Sequence, residues 1–246
     1  MVEIKTDKIK NIKLESSETW KDNIFITLDL DWAIDEVIQD AVDIIESYSC
    51  KATFFATHNS TLIDKLSLNE NFELGIHPNF NFLLEGDFRY GKSYSEVIRH
   101  WLNQFPSALS VRSHSMTQNT KILKEFSKEG LQFDCNHFLP YGSNINNLSP
   151  FLFWDKKLIR IPYFWEDDVN MLYYNHKYSV DELFQSKGLR VFDFHPIHIF
   201  LNTYCLDHYQ SARPYYKNID KLVEIVNTEK YGVRDFFIEL LSKFNK

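Results

Sequence analysis

Short runs of β-branched and aromatic residues alternate with longer amphipathic segments along this chain, and this alternation limits its possible folds most strongly. The short runs predict strands, and segments with an apolar residue every three or four positions predict helices. The predicted strands lie at residues 23–31, 51–57, 73–78, 109–114, 131–136, 158–165 and 189–196. The predicted helices lie at residues 33–48, 62–68, 95–105, 119–129 and 220–244. Seven strands separated mainly by helices favour one parallel-stranded α/β barrel over two domains, with a long ordered loop at residues 138–157.

Composition narrows the function classes. The 246 residues include 27 Lys and Arg against 34 Asp and Glu, a net charge of −7, whereas nucleic-acid binding requires a dense basic face. No run of about 18 apolar residues occurs, so direct membrane insertion is not expected. Three cysteines without CxxC spacing are typical of reduced thiols, and we expect a cytoplasmic protein. G-x-G-x-x-G and G-x-S-x-G motifs are absent, which leaves dinucleotide and serine-hydrolase chemistry without support. Residues 86–93, GDFRYGKS, match the letters of a phosphate loop, but no predicted strand ends directly before them, as such a loop requires.

Histidines and acids follow the predicted strands at the point where each strand ends. In a parallel α/β barrel these ends meet at one rim, where the active site lies. Six of the nine histidines occupy such positions, namely His58, His77, His114, His137, His195 and His198. This convergence predicts a functional site at the carboxyl ends of the strands.

Asp29 and Asp31 are two positions apart, so on a strand both carboxylates face the same side. They lie in an apolar run, where solvation of two like charges is expensive. A metal ligand beside a general base would explain the pair, and a strand-end loop with solvated acids is the alternative.

Three further residues are candidate metal ligands. Asp31 with His77 would suit a transition metal such as Zn, but a third ligand is needed. His114 is the most natural donor, and Asn81 is a weaker one. Each histidine could instead be a hydrogen-bonded residue of the core or of a loop.

The last strand carries His195 and His198, and either imidazole could protonate a leaving group, with strand register favouring His195. Arg112 could orient a carboxylate or form an ordinary surface salt bridge. The run from Trp165 to Asp168 could open a helix or take part in catalysis directly. We assign substrate binding to Trp32, Trp165, Asp167, Asp168 and His198.

The order of these motifs resembles the polysaccharide deacetylase (NodB-homology) superfamily, carbohydrate esterase family 4, and in particular its WbmS-like branch. The matching segments are ITLDLDW (26–32) for T-F-D-D-G, ATFFAT (52–57) for A-T-F-F, ELGIHPNFN (73–81) for G-x-H-[ST]-x-x-H, SVRSHS (110–115) for R-x-P, YFWEDD (163–168) for D-x-x-D-W, and VFDFHPIHIFLN (191–202) for L-x-x-H. The resemblance covers about residues 24–202. A helical C-terminal segment, 219–246, lies outside the matching motifs, and we expect it to belong to the same single domain, 1–246.

This resemblance implies a distorted (β/α)7 barrel with one divalent cation, usually Zn²⁺, with Mn, Fe, Co or Ni as alternatives. The family hydrolyses N-acetyl and sometimes O-acetyl groups. By the resemblance, Asp29 is the base, and Asp31 and His77 hold the metal. His195 is the acid, and Arg112 orients Asp29 with the help of an acid from 166–168.

The sequence departs from the family motifs at three points of the site. Leu30 separates the paired aspartates, Asn81 stands where the second metal histidine is expected, and His114 replaces the Pro after the arginine. We hypothesise that His114 supplies the missing imidazole.

The function expected from these observations is removal of an acetyl group from an N-acetylated sugar, carried by a nucleotide or a lipid, in bacterial surface-polysaccharide synthesis. Two alternatives are an amidohydrolase acting on a small non-sugar amide and a catalytically silent sugar-binding barrel. The sequence carries no signal for an oligomeric state.

Overall fold

A curled sheet lies at the centre of the computed structural model, which describes residues 4–21, 23–31, 33–143, 147–174 and 178–244. In chain order its strands are β1 (Lys5–Thr6), β2 (Asn23–Asp29), β3 (Ala52–Ala56), β4 (Phe72–Ile76), β5 (Ser110–Val111), β6 (Phe133–Asp134), β7 (Phe151–Leu152), β8 (Ile159–Arg160), β9 (Trp165–Glu166) and β10 (Arg190–Phe194). The helices are α1 (Asp35–Ser47), α2 (Thr61–Leu68), α3 (Asn81–Leu84), α4 (Tyr94–Leu102), α5 (Thr120–Lys128), α6 (Asp167–Tyr174), α7 (Val180–Phe184), α8 (Pro196–Leu201), α9 (Leu206–Ala212), α10 (Ile219–Ile225) and α11 (Val233–Ser242).

Parallel pairing runs through the sheet in the order β8-β6-β5-β4-β3-β2-β10-β9, and β7 joins β8 antiparallel at the edge. One segment of the chain, 159–166, supplies the strands at both ends of this parallel array, β8 and β9. Its first part, β8, pairs with β6, and its last part, β9, pairs with β10. A further bridge between Phe138 and Tyr163 lies between the two contacts. The chain therefore closes the ring, and the prediction of a distorted (β/α)7 barrel in a single α/β fold is confirmed.

The predicted strand at 158–165 is interrupted at its centre. Pro162 lies between β8 and β9, and proline has no N–H to donate to a ladder. This break lets one segment leave its pairing with β6 and begin pairing with β10.

Other differences from the sequence predictions are local. The last strand ends at Phe194, and α8 begins at Pro196, so His198 lies on a helix and not on a strand end. The loop predicted at 138–157 contains β7, and the C-terminal segment forms two helices separated by residues 226–232. Trp32 lies outside the described residues.

The two ends of the barrel differ in character. At the amino ends of the strands, the turn Ile9–Asn11 lies across the opening, and the backbone N–H of Lys10 donates to Glu73 Oε2 at 2.8 Å. Ser110 donates to the other oxygen of Glu73 at 2.5 Å, so both oxygens of this buried carboxylate accept hydrogen bonds from the protein itself. The opposite end of the barrel, at the carboxyl ends of the strands, is where a parallel barrel carries its active site. None of the helices described in the structure is long and apolar enough to span a membrane.

Candidate active site

The carboxyl ends of the strands surround a small cavity of about 90 Å³. Its lining residues are Asp29, Asp31, His77, Ser113, His114, Ser115, Met116, Tyr163, Glu166, Asp168 and His195. Two larger clefts, both lined by Asn147, Leu148 and Lys187, contain none of the predicted site residues. The chemistry-bearing side chains therefore meet where a parallel barrel places its active site.

Asp31, His77 and His114 come together on one side of the cavity. The Asp31 carboxylate oxygen Oδ2 lies 2.7 Å from His114 Nδ1 and 3.2 Å from His77 Nε2. One ligand atom from each residue lies within 4.8 Å of the other two. Two imidazoles and a carboxylate are a donor set that a catalytic Zn²⁺ ion takes when it keeps an open position.

The buried ring of His77 provides a test of whether a cation fits these residues. His77 is 2% exposed, and neither of its ring nitrogens makes a well-aligned hydrogen bond to any residue that the structure describes, although Nε2 lies 3.2 Å from the Asp31 carboxylate. Buried imidazole nitrogens are ordinarily hydrogen-bonded or bound to a metal. The unsatisfied nitrogens and the adjacent carboxylate therefore fit a divalent cation.

Electrostatics at this group are those of an anionic pocket. Burial would lower the pKa of His77, but the carboxylates of Asp29 and Asp31 outweigh it and raise that pKa. Burial likewise opposes ionisation of Asp31, yet His77 and His114 lower its pKa well below the usual range. This group thus attracts positive charge, which a proton or a metal ion can supply.

Asp29 lies next to this group and is held by Arg112. The guanidinium Nη1 donates to Asp29 Oδ1 at 3.1 Å, and Asp29 Oδ2 faces His77 Nδ1 at 3.6 Å. Arg112 is packed between the rings of Phe55 and Tyr163, whose centroids lie 4.7 and 4.5 Å from its central carbon. Stacking and ion pairing together fix the direction of the guanidinium and so the direction of the Asp29 carboxylate.

The second acid bound to Arg112 is Asp193, not a member of the 166–168 run as the resemblance implied. Asp193 forms a close ion pair with Nη1 and lies 2.9 Å from the Thr27 hydroxyl. Burial raises the pKa of Asp193 above its ordinary value, with Arg112 opposing this shift and Asp29 adding to it. Asp193 is not among the residues predicted from the sequence, although its spacing of two from His195 puts both on one face of the strand, as for Asp29 and Asp31.

His195 lies across the cavity and is paired with Asp167. Its backbone N–H donates to one carboxylate oxygen of Asp167 at 2.7 Å, and its ring Nδ1 lies 2.8 Å from the other. Burial lowers the pKa of His195, but Asp167 more than compensates and raises it well above the ordinary value. The imidazolium form is thus favoured at neutral pH, as a general acid requires.

Asp167, His195 and His198 form a second group whose ligand atoms are close enough to hold a metal. Both oxygens of Asp167 are already bonded to His195, and His198 Nδ1 lies 3.1 Å from the Thr203 hydroxyl. Burial lowers the pKa of His198, so its ring is neutral. We interpret this group as an internal hydrogen-bonded cluster.

Of the remaining predicted residues, one lines the cavity and one lies in the hydrophobic core. Asp168 lines the cavity, whereas Trp165 is buried in the core and stacks on Phe236 of α11 with 4.4 Å between ring centroids. Successive residues of a strand point to opposite sides, so Glu166 and not Trp165 faces inward. Burial and the neighbouring Asp168 raise the pKa of Glu166, which accepts a hydrogen bond from Tyr163 at 2.8 Å.

Asn81, predicted as a ligand, does not line the cavity. Its side-chain amide contacts Thr117 at 3.2 Å and Ser115 at 3.4 Å. Two of the strand-end histidines are also elsewhere. The ring of His58 lies against the Thr57 hydroxyl, and that of His137 packs on Phe151.

Comparison with known proteins agrees with this fold. Residues 26–213 match the family model described as WbmS-like polysaccharide deacetylase. A crystal structure from Bordetella bronchiseptica, of a protein described as a polysaccharide deacetylase involved in O-antigen biosynthesis, is 39% identical with a TM-score of 0.88. The match covers 97% of this chain and 98% of that one. No curated protein matches the chain.

The family match places this barrel in the class of deacetylases. The chain belongs to the WbmS-like polysaccharide deacetylase family.

Proposed function

We propose that this protein is a metal-dependent deacetylase that hydrolyses the N-acetyl group of a sugar carried by a nucleotide or a lipid, in the synthesis of a bacterial surface polysaccharide. The observation that carries the proposal is the arrangement of three groups around one cavity. Asp31, His77 and His114 converge beside Asp29, and His195 stands opposite with its Asp167 partner. The cytoplasmic location expected from the sequence stays a prediction.

Asp31, His77 and His114 would hold the divalent cation in this proposal, with Zn²⁺ the ion that best suits two imidazoles and a carboxylate. When bound, such a cation supplies Lewis acidity that polarises an acyl carbonyl and makes a water more acidic.

Asp29 is the proposed general base. Its Oδ1 is held by Arg112 at 3.1 Å, which leaves Oδ2 directed toward His77 and the cavity. In amide hydrolysis, Asp29 takes a proton from the attacking water as the new C–O bond forms. Arg112 and its aromatic neighbours keep the carboxylate from rotating away during this step.

His195 is the proposed general acid. It gives a proton to the amide nitrogen as the C–N bond breaks, so the products are acetate and a free amine. The paired Asp167 fixes the tautomer and orientation of the ring through two contacts of 2.7 and 2.8 Å. Each general acid or base of this kind contributes about 10²–10⁴-fold in rate.

The size of the cavity supports an acyl group as the part of the substrate that enters it. About 90 Å³ is small beside the roughly 300–1,000 Å³ of pockets that enclose a drug-sized ligand. An acetamido group suits such a space, and the sugar ring and its carrier would lie at the mouth. The relative's description as an O-antigen biosynthesis protein supports a surface polysaccharide as the product.

Two measurements on chelator-treated protein test the proposal. After addition of Zn²⁺, we expect one ion per chain and release of acetate from a nucleotide-linked N-acetylhexosamine. Asp29→Asn should retain the ion and lose about 10²–10⁴-fold of acetate release. Asp43→Asn, at an exposed acid on α1, is the matched control and should change neither quantity.

Specific outcomes would contradict parts of this proposal. Absence of an ion at micromolar Zn²⁺ would show that the ligand assignment is wrong. Loss of the ion from Asp29→Asn would mean that Asp29 and Asp31 exchange roles. Acetate release from small amides but not from any N-acetylated sugar would indicate an amidohydrolase.

A further inference from the structure

The turn that carries His114 has an unusual backbone. Ser115 has φ 55° and ψ 29°, and Met116 has φ 52°, so two consecutive residues with side chains adopt the left-handed conformation. Such residues persist there only when the surroundings restrain them. The position of the His114 imidazole therefore depends on contacts made by the rest of the turn, residues 113–117.

One restraint comes from the end of strand β6. The side chain of Asn136 accepts a hydrogen bond from the backbone N–H of Ser113 at 2.8 Å. Its amide nitrogen donates to Asp134 at 2.6 Å, which directs the carbonyl oxygen toward Ser113. Asn136, Ser113 and Asp134 are all at most 1% exposed, so water cannot replace either bond.

A second set of contacts extends this restraint past the other end of the turn. Arg160 forms an ion pair with Asp134 at 2.5 Å and donates a hydrogen bond to the side-chain oxygen of Gln118. The side-chain nitrogen of Gln118 donates to the backbone oxygen of Asn136 at 2.6 Å. The first residue of the His114 turn, Ser113, and the residue after the turn, Gln118, are thus both bonded to Asn136.

Helix α3 holds the outer side of the turn. Asn81, its first residue, accepts a hydrogen bond from the Thr117 hydroxyl at 3.2 Å and donates to Ser115 Oγ at 3.4 Å. These contacts explain what Asn81 does in place of binding a metal.

We infer that Asn136 is a positioning residue for metal binding, which acts by holding the His114 turn so that its imidazole meets Asp31. The inference rests on the proposed function. The two histidine ligands differ in how they are placed. The backbone N–H of His77 bonds to Ala56 at 3.0 Å and that of His114 to Pro78 at 3.0 Å, but only His114 lies on a turn with left-handed residues, and its side chain is 18% exposed against 2% for His77. His114 is therefore the histidine whose geometry a residue bonded to this turn can change more.

A double-mutant cycle on Zn²⁺ affinity tests this inference, measured by competition with a chelating dye. Asn136→Ala should weaken binding about 10–100-fold, the usual cost of losing a residue that orients a ligand. In a His114→Ala background, the same Asn136→Ala change should have less than about a threefold effect, because the residue it positions is gone. The absorption bands of bound Co²⁺ should also shift in Asn136→Ala.

Asn202→Ala is the matched control. Asn202 is also a buried asparagine, 5% exposed, but its amide nitrogen bonds to Asp235 at 2.8 Å, in the first turn of α11. Its loss should lower the melting temperature without changing Zn²⁺ affinity or the Co²⁺ spectrum. Thr117→Val is a milder variant in case Asn136→Ala does not fold. It should weaken Zn²⁺ binding about threefold, as expected for one neutral hydrogen bond, and only when His114 is present.

The results that would contradict this inference can be distinguished from failure of the proposed function. Equal losses from Asn136→Ala with and without His114 would show a general structural role and overturn the inference. An unchanged affinity in His114→Ala would also overturn it, while leaving Asp31 and His77 as ligands. A wild-type protein that binds no Zn²⁺ would overturn the proposed function and this inference together.

Discussion

Two groups of one aspartate and two histidines lie at the same rim of the barrel, yet their hydrogen bonding differs. In the group of Asp31, His77 and His114, both imidazoles face one carboxylate oxygen. In the group of Asp167, His195 and His198, His195 bonds to both carboxylate oxygens, and the backbone N–H of Asp168 donates to one of them as well. The first group leaves the nitrogens of His77 without well-aligned hydrogen bonds to described residues, and the second has its donors and acceptors matched.

This difference shows that residue type alone does not distinguish a metal site from an acid–base pair. A carboxylate with both oxygens bonded to one histidine sets that histidine's tautomer and raises its pKa, which suits proton transfer. A carboxylate oxygen approached by two imidazoles from different strands instead suits a cation. The following predictions test the contrast between the two groups, beginning with the largest effect.

Substitution of one buried histidine in each group should distinguish the metal site from the hydrogen-bonded cluster most clearly. His77→Ala removes a ligand, and we expect loss of the stoichiometric metal ion together with all acetate release. His198→Ala removes an equally buried ring and should leave one ion per chain, as measured by atomic emission on purified protein. Loss of the ion from both variants would show that the two groups share one metal.

Removal of the proposed acid should leave metal binding intact. His195→Gln lacks a proton donor, so kcat for a sugar amide should fall by about 10²–10⁴-fold. With 4-nitrophenyl acetate the leaving phenolate needs no proton, and the loss should be about tenfold or less. Equal losses on both substrates would mean that His195 has a role other than protonation of the amine.

The Asp167–His195 pair should also appear in the pH dependence of stability. Burial opposes ionisation of Asp167, but His195 lowers its pKa below the ordinary 3.8, and Asp167 in turn raises that of His195 above 6.5. The stabilisation is therefore complete between about pH 4 and 6.5. It is lost as the pH falls through the folded pKa of Asp167 or rises through that of His195.

Asp167→Asn should destabilise the protein by about 3 kcal/mol within that window, the cost of leaving a buried charge without its partner. The difference from wild type should shrink as the pH rises above 6.5. Urea unfolding at several pH values measures both quantities, and a pH-independent difference would argue against an ion pair.

The smallest expected effect concerns the run that carries Asp167. Trp165 packs against α11 and not in the cavity, so Trp165→Phe should cost about 1–2 kcal/mol of unfolding free energy and leave KM unchanged. A large rise in KM without a change in stability would place Trp165 at the substrate after all.

Much of the site could be predicted because strand periodicity and barrel geometry act together. Asp29 and Asp31 share a face of one run, and parallel strands bring Arg112 and His195 to the same rim. The same rule, applied to Asp193 and His195, would have identified the second carboxylate at Arg112. Applied to β9, it also separates Glu166, which lines the cavity, from Trp165 in the core, but it does not extend past Glu166, because α6 begins at Asp167 and the alternation of faces ends there.

Contacts between distant loops could not be predicted in this way. Asn81 occupies the position of a family histidine in sequence, but its amide holds Ser115 and Thr117. Its role depends on the backbone path of the 113–117 turn, which cannot be predicted from hydrophobic periodicity because the turn is irregular. The division of 158–165 into β8 and β9 likewise depends on two different neighbours across the ring.

The sequence by itself determined the alternation of strands and helices, the order of the family motifs, and the placement of acids and histidines at strand ends. These follow from local periodicity, which adjacent residues carry. Only the tertiary structure decided which histidines share a carboxylate, which acid accompanies Arg112, and what Asn81 contacts. Those relations join Asp31, His77 and His114 across three strands, and their distances are set by the curvature and register of the barrel, which no single segment contains.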